Sequence, residues 1–314
     1  MMNTIYDILG VPFGIILKFI FEAVNNYGLA LILFTLFARL LMLPTSIYQT
    51  KGTVKTQRLQ PKIRRINAKY KGDQRRIQEE TQALYQREGH NPMNMGCVPL
   101  MIQFVIIFGL IGVIYKPLTY ALSVPDNVID VLTEGAKQIL GGKIPAQQER
   151  TIQLYIIDNI DKIASVVTIP DGWYETISKF NFTFLGVPLG QTPSIKDPSL
   201  LWLVPILSGV TSLGTSLFSM LKQKETNPEM SKNPAMGCMT FGMPLFSLYF
   251  TFQFPAGIGI YWIASNVFAL IQTVILSVTH SPKKMIAKLM VDETVQRRSR
   301  EENLKRAAQK KNEE

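Results

Sequence analysis

YGLALILFTLFARLLMLP, residues Tyr27 to Pro44, decides how the chain is read, because Arg39 is its only formally charged residue. A bilayer's hydrocarbon core takes about 20 apolar residues to cross as a helix, so this run nearly spans it. A charge near the bilayer centre costs about 2.5–3.5 kcal/mol on insertion scales, so something polar must lie beside Arg39. No Asp or Glu occurs in any other apolar run, which removes the obvious ion-pair partners. Arg39 is therefore read as a functional charge facing a wet cavity, ahead of a packing residue tied to a carbonyl or carboxylate.

The rest of the chain is apolar in the same clustered way. Hydrophobic residues make up 47% of the 314 and charged residues 18%, and mean hydropathy is positive. Five stretches have near-spanning length: 27–48, 94–116, 200–221, 236–254 and 257–279. The last two are separated by little more than Phe254-Pro255-Ala256 and must form a tight hairpin. The expected fold class is an all-α polytopic membrane protein, with five transmembrane helices around a hydrophilic groove and a cytoplasmic helical hairpin.

The net charge of +10 would suit nucleic acid if it were spread evenly, but its distribution follows a membrane and argues against DNA. Lys51 to Glu88 holds eleven Lys and Arg against four acids, and the stretch from Ser281 holds ten against six. Lys116 to Pro198 holds seven against nine. The positive-inside rule then places 49–93, the short loop 222–235 and the basic tail 280–314 in the cytoplasm, and the loop 117–199 outside. The N-terminus is expected outside and the C-terminus inside. Cys97 and Cys238 fall at cytoplasmic ends of spans, where a disulfide is disfavoured, and read as small packing residues. Residues 1–26 lack a basic n-region and a clear cleavage site. Their apolar residues recur at helical spacing, so they read as an amphipathic helix on the outer face, with a sixth span as the competing reading.

Lys51 to Gly89 reads as two helices broken at Lys71-Gly72-Asp73, with thin apolar stripes and hence a mobile pairing. In the outer loop, helices are expected at Asn127 to Leu140 and Gln147 to Val166, and an extended segment at Phe180 to Val187. The tail reads as a frayed helix or a disordered segment.

Each expected span carries polar residues on one face. Ser208, Thr211, Ser212, Thr215 and Ser219 follow i, i+3, i+4, i+7, i+11 on the third span. Thr240, Ser247 and Thr251 do so on the fourth, and Trp262, Ser265, Asn266, Gln272 and Thr273 on the fifth. The first offers Thr35 and Arg39, the second Gln103. Small polar residues commonly hold membrane helices together, so any one stripe alone is consistent with packing. Asn266, Gln103 and Gln272 beside an unpaired arginine favour a hydrated groove over a dry polar core. Methionines 93, 95, 101, 220, 230, 236, 239 and 243 gather at cytoplasmic ends of spans and suit either a surface meeting varied apolar segments or ordinary filler. No Walker A sequence is present, His90 and His280 have no ligand partners at metal spacing, and no span holds a carboxylate. Catalysis and a cofactor are not expected.

Four blocks, NYGLALILFTLFARLLMLPTSIYQT, LQPKIRRINAKYKGD, NPMNMGCVPLMIQ and GIGIYWIASNVFALIQT, lie in this order between residues 25 and 273. Together they resemble the YidC/Oxa/Alb membrane protein insertase family. The resemblance implies a five-helix core with a groove open to the cytoplasm and to lipid but closed on the outside. It places Arg39 in that groove as the residue supporting client insertion, with Thr35, Gln103, Trp262, Ser265 and Asn266 lining it. Ser208, Thr211, Thr215 and Gln272 join them as candidates from the polar stripes. It further implies that the 49–93 hairpin receives clients or the ribosome, that the basic tail lies near the ribosome, and that the partners are nascent membrane proteins and possibly a Sec translocon. With no large folded domain ahead of the first span, the likeness is to the Gram-positive type. The 117–199 loop exceeds what the core needs and has no assigned role.

The mechanism this suggests uses no nucleotide. A client's hydrophilic tail enters the groove, where Arg39 attracts its acidic groups, and its apolar segment leaves to lipid between the third and fifth spans. Burial of that segment supplies about 25 cal/mol per Å². An acidic tail moving outward gains about 2.3 kcal/mol per charge per 100 mV where the cell interior is negative. Two other functions fit Arg39 as well: a small-anion transporter, and an accessory chaperone beside a Sec-type translocon. The spans lack the matching halves expected of repeat-built carriers.

Overall fold

A computed structural model of the chain describes residues 2–89, 93–145, 148–170, 172–226, 234–279 and 282–313. In chain order its elements begin with α1 (Met2–Val24), α2 (Tyr27–Leu41), α3 (Leu43–Lys69), α4 (Gln74–Arg87) and α5 (Met93–Tyr115). The short helices α6 (Pro117–Tyr120), α7 (Asp126–Ile139), α8 (Ile152–Asp158), α9 (Ile160–Ala164) and α10 (Trp173–Ser178) follow, with strands β1 (Thr183–Phe184) and β2 (Val187–Pro188). The chain continues through α11 (Leu203–Thr226), α12 (Pro234–Thr251), α13 (Ala256–Thr279) and α14 (Pro282–Glu313). It divides into two compact units. The first takes Met1–Met42, Leu100–Leu221 and Lys232–Leu270, and the second Leu43–Pro99, Lys222–Ser231 and Ile271–Glu314.

Among the described residues, Leu200–Lys222 and Ala256–Thr279 are long and apolar enough to cross a membrane. Tyr27–Leu41 and Leu43–Lys69 meet the same test only when taken together, and Met101–Tyr115 is a shorter apolar helix. The first expected span, 27–48, is thus two helices broken at Met42. Pro44 accounts for the break: lacking an N–H, it cannot donate to the carbonyl four residues back, but it is tolerated in the first turn of a new helix.

In the first unit, α1 packs along α2. Asn25 turns the chain with a φ of 51°, and the Asn26 side chain caps α2 by accepting from the Leu29 N–H at 2.9 Å. Phe13 meets Phe34 edge-on at 5.7 Å, and Phe21 meets Tyr27 at 6.0 Å. Ile8, Val11, Ile15 and Phe19, at helical spacing, form an exposed apolar stripe on α1. Leu17 is buried. The core of this unit joins Tyr27, Leu31, Phe34, Leu110, Ile114 and Tyr261.

The 117–199 segment has a second cluster of its own, around Leu118, Leu132, Ile156, Ile163 and Ile177. The helix expected over Gln147 to Val166 is instead a short 3-10 turn at Glu149–Thr151 followed by α8 and α9, which part at Asn159. Asn159 leaves helical geometry with φ −126° and ψ 23°. Strands β1 and β2 pair antiparallel, Thr183 with Pro188 and Phe184 with Val187. Leu185 and Gly186, with φ of 50° and 81°, make the left-handed two-residue turn that matches hairpin twist. Past the hairpin the Gln191 and Leu189 carbonyls accept from the Ala256 and Gly257 N–H groups at 2.8 and 2.9 Å. Two donors at the N-terminus of α13 are thereby satisfied by the loop.

In the second unit α4 runs back along α3. Arg58 and Lys62 of α3 both pair with Glu88, just past α4, while the Tyr70 hydroxyl donates to Glu80 at 3.3 Å. Between the helices Gly72 takes a φ of 97°, in the left-handed region that favours glycine. The hydrogen bond from Lys62, with Arg58 nearby, holds the Glu88 carboxyl below the usual carboxylate range. A depressed folded pKa stabilises above the unfolded value of about 4.3 and is lost as pH falls through the folded one. Glu88→Gln should therefore speed amide exchange in α4 about five-fold at pH 7, as for a pair contributing about 1 kcal/mol, and the difference should shrink as pH falls below the unfolded value and vanish only below the folded one. Equal exchange at pH 7 would remove the clamp.

The tail, expected as a frayed helix or a disordered segment, is helical: α14 is one helix of 32 residues and makes contact with α3. Spaced i,i+4 pairs, Arg297 with Glu301 and Arg306 with Glu302, support it where apolar burial does not. His90, Met230 and His280 lie outside the described residues, as do the side chains of Met93, Met95, Cys97, Met236, Cys238 and Met239. Met101 and Met243 are exposed and Met220 is half-buried.

Candidate functional site

Arg39 projects from α2 half-buried, and its Nη2 donates to the Ser265 hydroxyl of α13 at 2.5 Å. Among the described residues it enters no ion pair. Ser265 is 5% exposed and lies one turn along α13 from Tyr261. The Tyr261 hydroxyl in turn accepts from Gln103 Nε2 of α5 at 2.9 Å. Two bonded pairs, Gln103 with Tyr261 and Arg39 with Ser265, thus gather into one polar cluster across three helices. It meets the need set by the arginine: a charge in apolar surroundings is held by neutral dipoles and keeps its positive sign.

A second network lies on the other side of α13. The Ser208 hydroxyl of α11 meets that of Ser247 on α12 at 2.7 Å, both fully buried. Asn266 Nδ2 donates to Thr211 Oγ1 at 3.4 Å and to the Ser208 carbonyl at 3.5 Å, and Thr215 Oγ1 donates to the Asn266 carbonyl at 3.2 Å. Gly209 lets α11 approach α12: a Cβ there would lie 3.2 Å from the Leu248 side chain. Interhelical bonds of this kind average about 0.6 kcal/mol in membranes, so the network is a seam of modest strength.

The ten residues expected from the sequence therefore separate. Arg39, Gln103 and Ser265 share the first network, and Ser208, Thr211, Thr215 and Asn266 the second. Thr35 is 1% exposed and its hydroxyl donates to the Leu31 carbonyl of its own helix at 2.7 Å. Trp262 is half-buried and packs on Phe250 of α12 at 5.2 Å between ring centres. Gln272 falls in the second unit, where its Nε2 is buried with no hydrogen-bond partner among the described residues. Tyr261, which the polar pattern passed over, is central to the first network. Its signal was the four-residue spacing to Ser265. Among the described residues, no group of three or more His, Cys, Asp or Glu is placed to hold a metal.

The model of the 60Kd inner membrane protein family matches residues 19–284, which takes in every residue of both networks. The chain belongs to that family. Its relatives include the membrane protein insertase YidC of Pediococcus pentosaceus, 30% identical over 256 residues, which are 80% of this chain and 67% of that protein. The membrane protein insertase MisCA of Bacillus subtilis is 27% identical over 256 residues, 80% of this chain and 70% of its own length. The membrane protein insertase YidC of Syntrophus aciditrophicus is 27% identical over 262 residues, 83% of this chain but only 35% of that longer protein. Membership in the 60Kd inner membrane protein family, with these relatives and the apolar helices, makes the chain a bacterial membrane protein.

Proposed function

We propose that the chain is a membrane protein insertase, acting without nucleotide hydrolysis on nascent membrane proteins. In this reading α2, α5, α11, α12 and α13 are five spans around a groove, with the 117–199 segment outside and α3, α4 and α14 in the cytoplasm, near the ribosome or a Sec translocon. The observation that carries it is the Arg39 guanidinium held by the neutral Ser265 hydroxyl. A positive charge so held attracts the acidic groups of a client tail, whereas a carboxylate partner would have cancelled it. The polar groups shorten the dry distance for the tail, and burial of the client's apolar segment in lipid drives the step. Family membership and the names of the relatives support the same activity.

Reconstitution tests it. The purified full-length protein in liposomes should protect the translocated tail of a short single-span client from added protease, and photocrosslinkers at Gln103 and Trp262 should capture that client. No protection without a Sec translocon would reduce the chain to an accessory chaperone. Flux of a small anion with no insertion would make it a transporter.

A further inference from the structure

Tyr261 raises a question that the insertase reading leaves open. Its ring is 3% exposed within the apolar core, a position where phenylalanine would pack equally well. What phenylalanine lacks is the hydroxyl, which accepts from Gln103 Nε2 at 2.9 Å one turn from Ser265 on α13. Ser265 is in turn the group to which Arg39 donates. Gln103 of α5 and Arg39 of α2 thus have their positions correlated through two residues one turn apart on α13.

We propose that Tyr261 is the positioning residue of the site: its hydroxyl, fixed by Gln103, orients the Ser265 hydroxyl so that Arg39 is held at one place in the apolar surroundings. An arginine side chain is long and rotamer-rich, and without an anchor its head moves toward the nearest water. Anchoring keeps the charge where a client's acidic group meets it, and it does so without a counter-charge. Tyr261 itself touches no client, and its effect passes through Ser265. The inference rests on the insertase reading only for its consequence in activity, since the placement of Arg39 is a property of the chain alone.

Two measurements test it. In liposomes, Tyr261→Phe should lower insertion of a single-span client with an acidic tail about ten-fold, the scale of one lost hydrogen bond to a charged network. A matched client with a neutral tail should insert within about two-fold of wild type, because a general loss of structure would lower both. In an Arg39→Ala background Tyr261→Phe should add nothing, since residues acting through one another are non-additive. Equal losses for both clients, or a full additional loss in that background, would make Tyr261 a packing residue and overturn the proposal. The second measurement needs no client: the rate at which p-hydroxyphenylglyoxal modifies Arg39, followed by mass spectrometry in the full-length protein. It should rise several-fold in Tyr261→Phe and in Ser265→Ala. An unchanged rate overturns the positioning role even if insertion proceeds, and a raised rate with no insertion by wild type upholds it while removing the insertase reading.

Discussion

Replacing Arg39 with alanine is expected to lower insertion of a client with an acidic tail by about ten- to one-hundred-fold, the range that follows from losing a charge-assisted contact of about 1.5–3 kcal/mol. Arg39→Lys should keep most of the activity, because the charge remains, while losing part of it because an ammonium reaches Ser265 with different geometry. The comparison separates charge from wetness. Alanine leaves Gln103, Tyr261 and Ser265 free to bind water, so a groove that works by hydration alone would insert the client as well as wild type. That result would remove the electrostatic role of Arg39. A client with a neutral tail is the internal control and should respond little to either substitution. Raising ionic strength should weaken the acidic client's advantage only slightly, since a half-buried charge is screened less than an exposed one.

Gly28→Ala is expected to be a damaging conservative change in the first unit. A Cβ at Gly28 would lie 2.3–2.4 Å from Cγ, Cβ and Cδ2 of Phe184. Those atoms sit at the root of the side chain, so a rotamer change cannot clear them and β1 must lift from α2. Overpacking of this kind costs about 1–3 kcal/mol, and part of the aromatic group formed by Phe21, Tyr27, Phe180 and Phe182 would be disturbed with it. The midpoint of thermal unfolding in detergent should fall by several degrees for Gly28→Ala and recover in part when Phe184→Gly is added. An unchanged midpoint would mean that the hairpin does not seat on α2.

What the sequence makes legible here is mostly a demand for partners, and what it hides is their identity. An arginine without an intramembrane carboxylate announces that neutral polar groups must surround it, and Ser265 and Gln103 stand out as candidates within apolar runs. Tyr261 is hidden because tyrosine counts as apolar in a run of that kind, and because its value depends on which helix faces it. That pairing is non-local and has no period in the chain. Thr35 lies one turn from Arg39 on the same helix, and its hydroxyl is satisfied on the carbonyl four residues back. The break at Met42 was present in Pro44 but overridden by the unbroken apolar run around it. For α14 the composition allowed both a helix and disorder, and the i,i+4 charge pairs favour the helix.

The two polar networks meet on consecutive residues of α13, Ser265 and Asn266, which point about 100° apart around the helix axis. Ser265 faces α2 through Arg39, and Asn266 faces α11. A rotation of α13 that tightens one set of bonds must stretch the other, so the helix has a single preferred azimuth with a restoring torque on either side. The bonds at Asn266 are the longer, between 3.2 and 3.5 Å, and give way first. Turning α13 away from α11 would therefore loosen the bonds at Asn266 while Arg39 keeps its bond to Ser265.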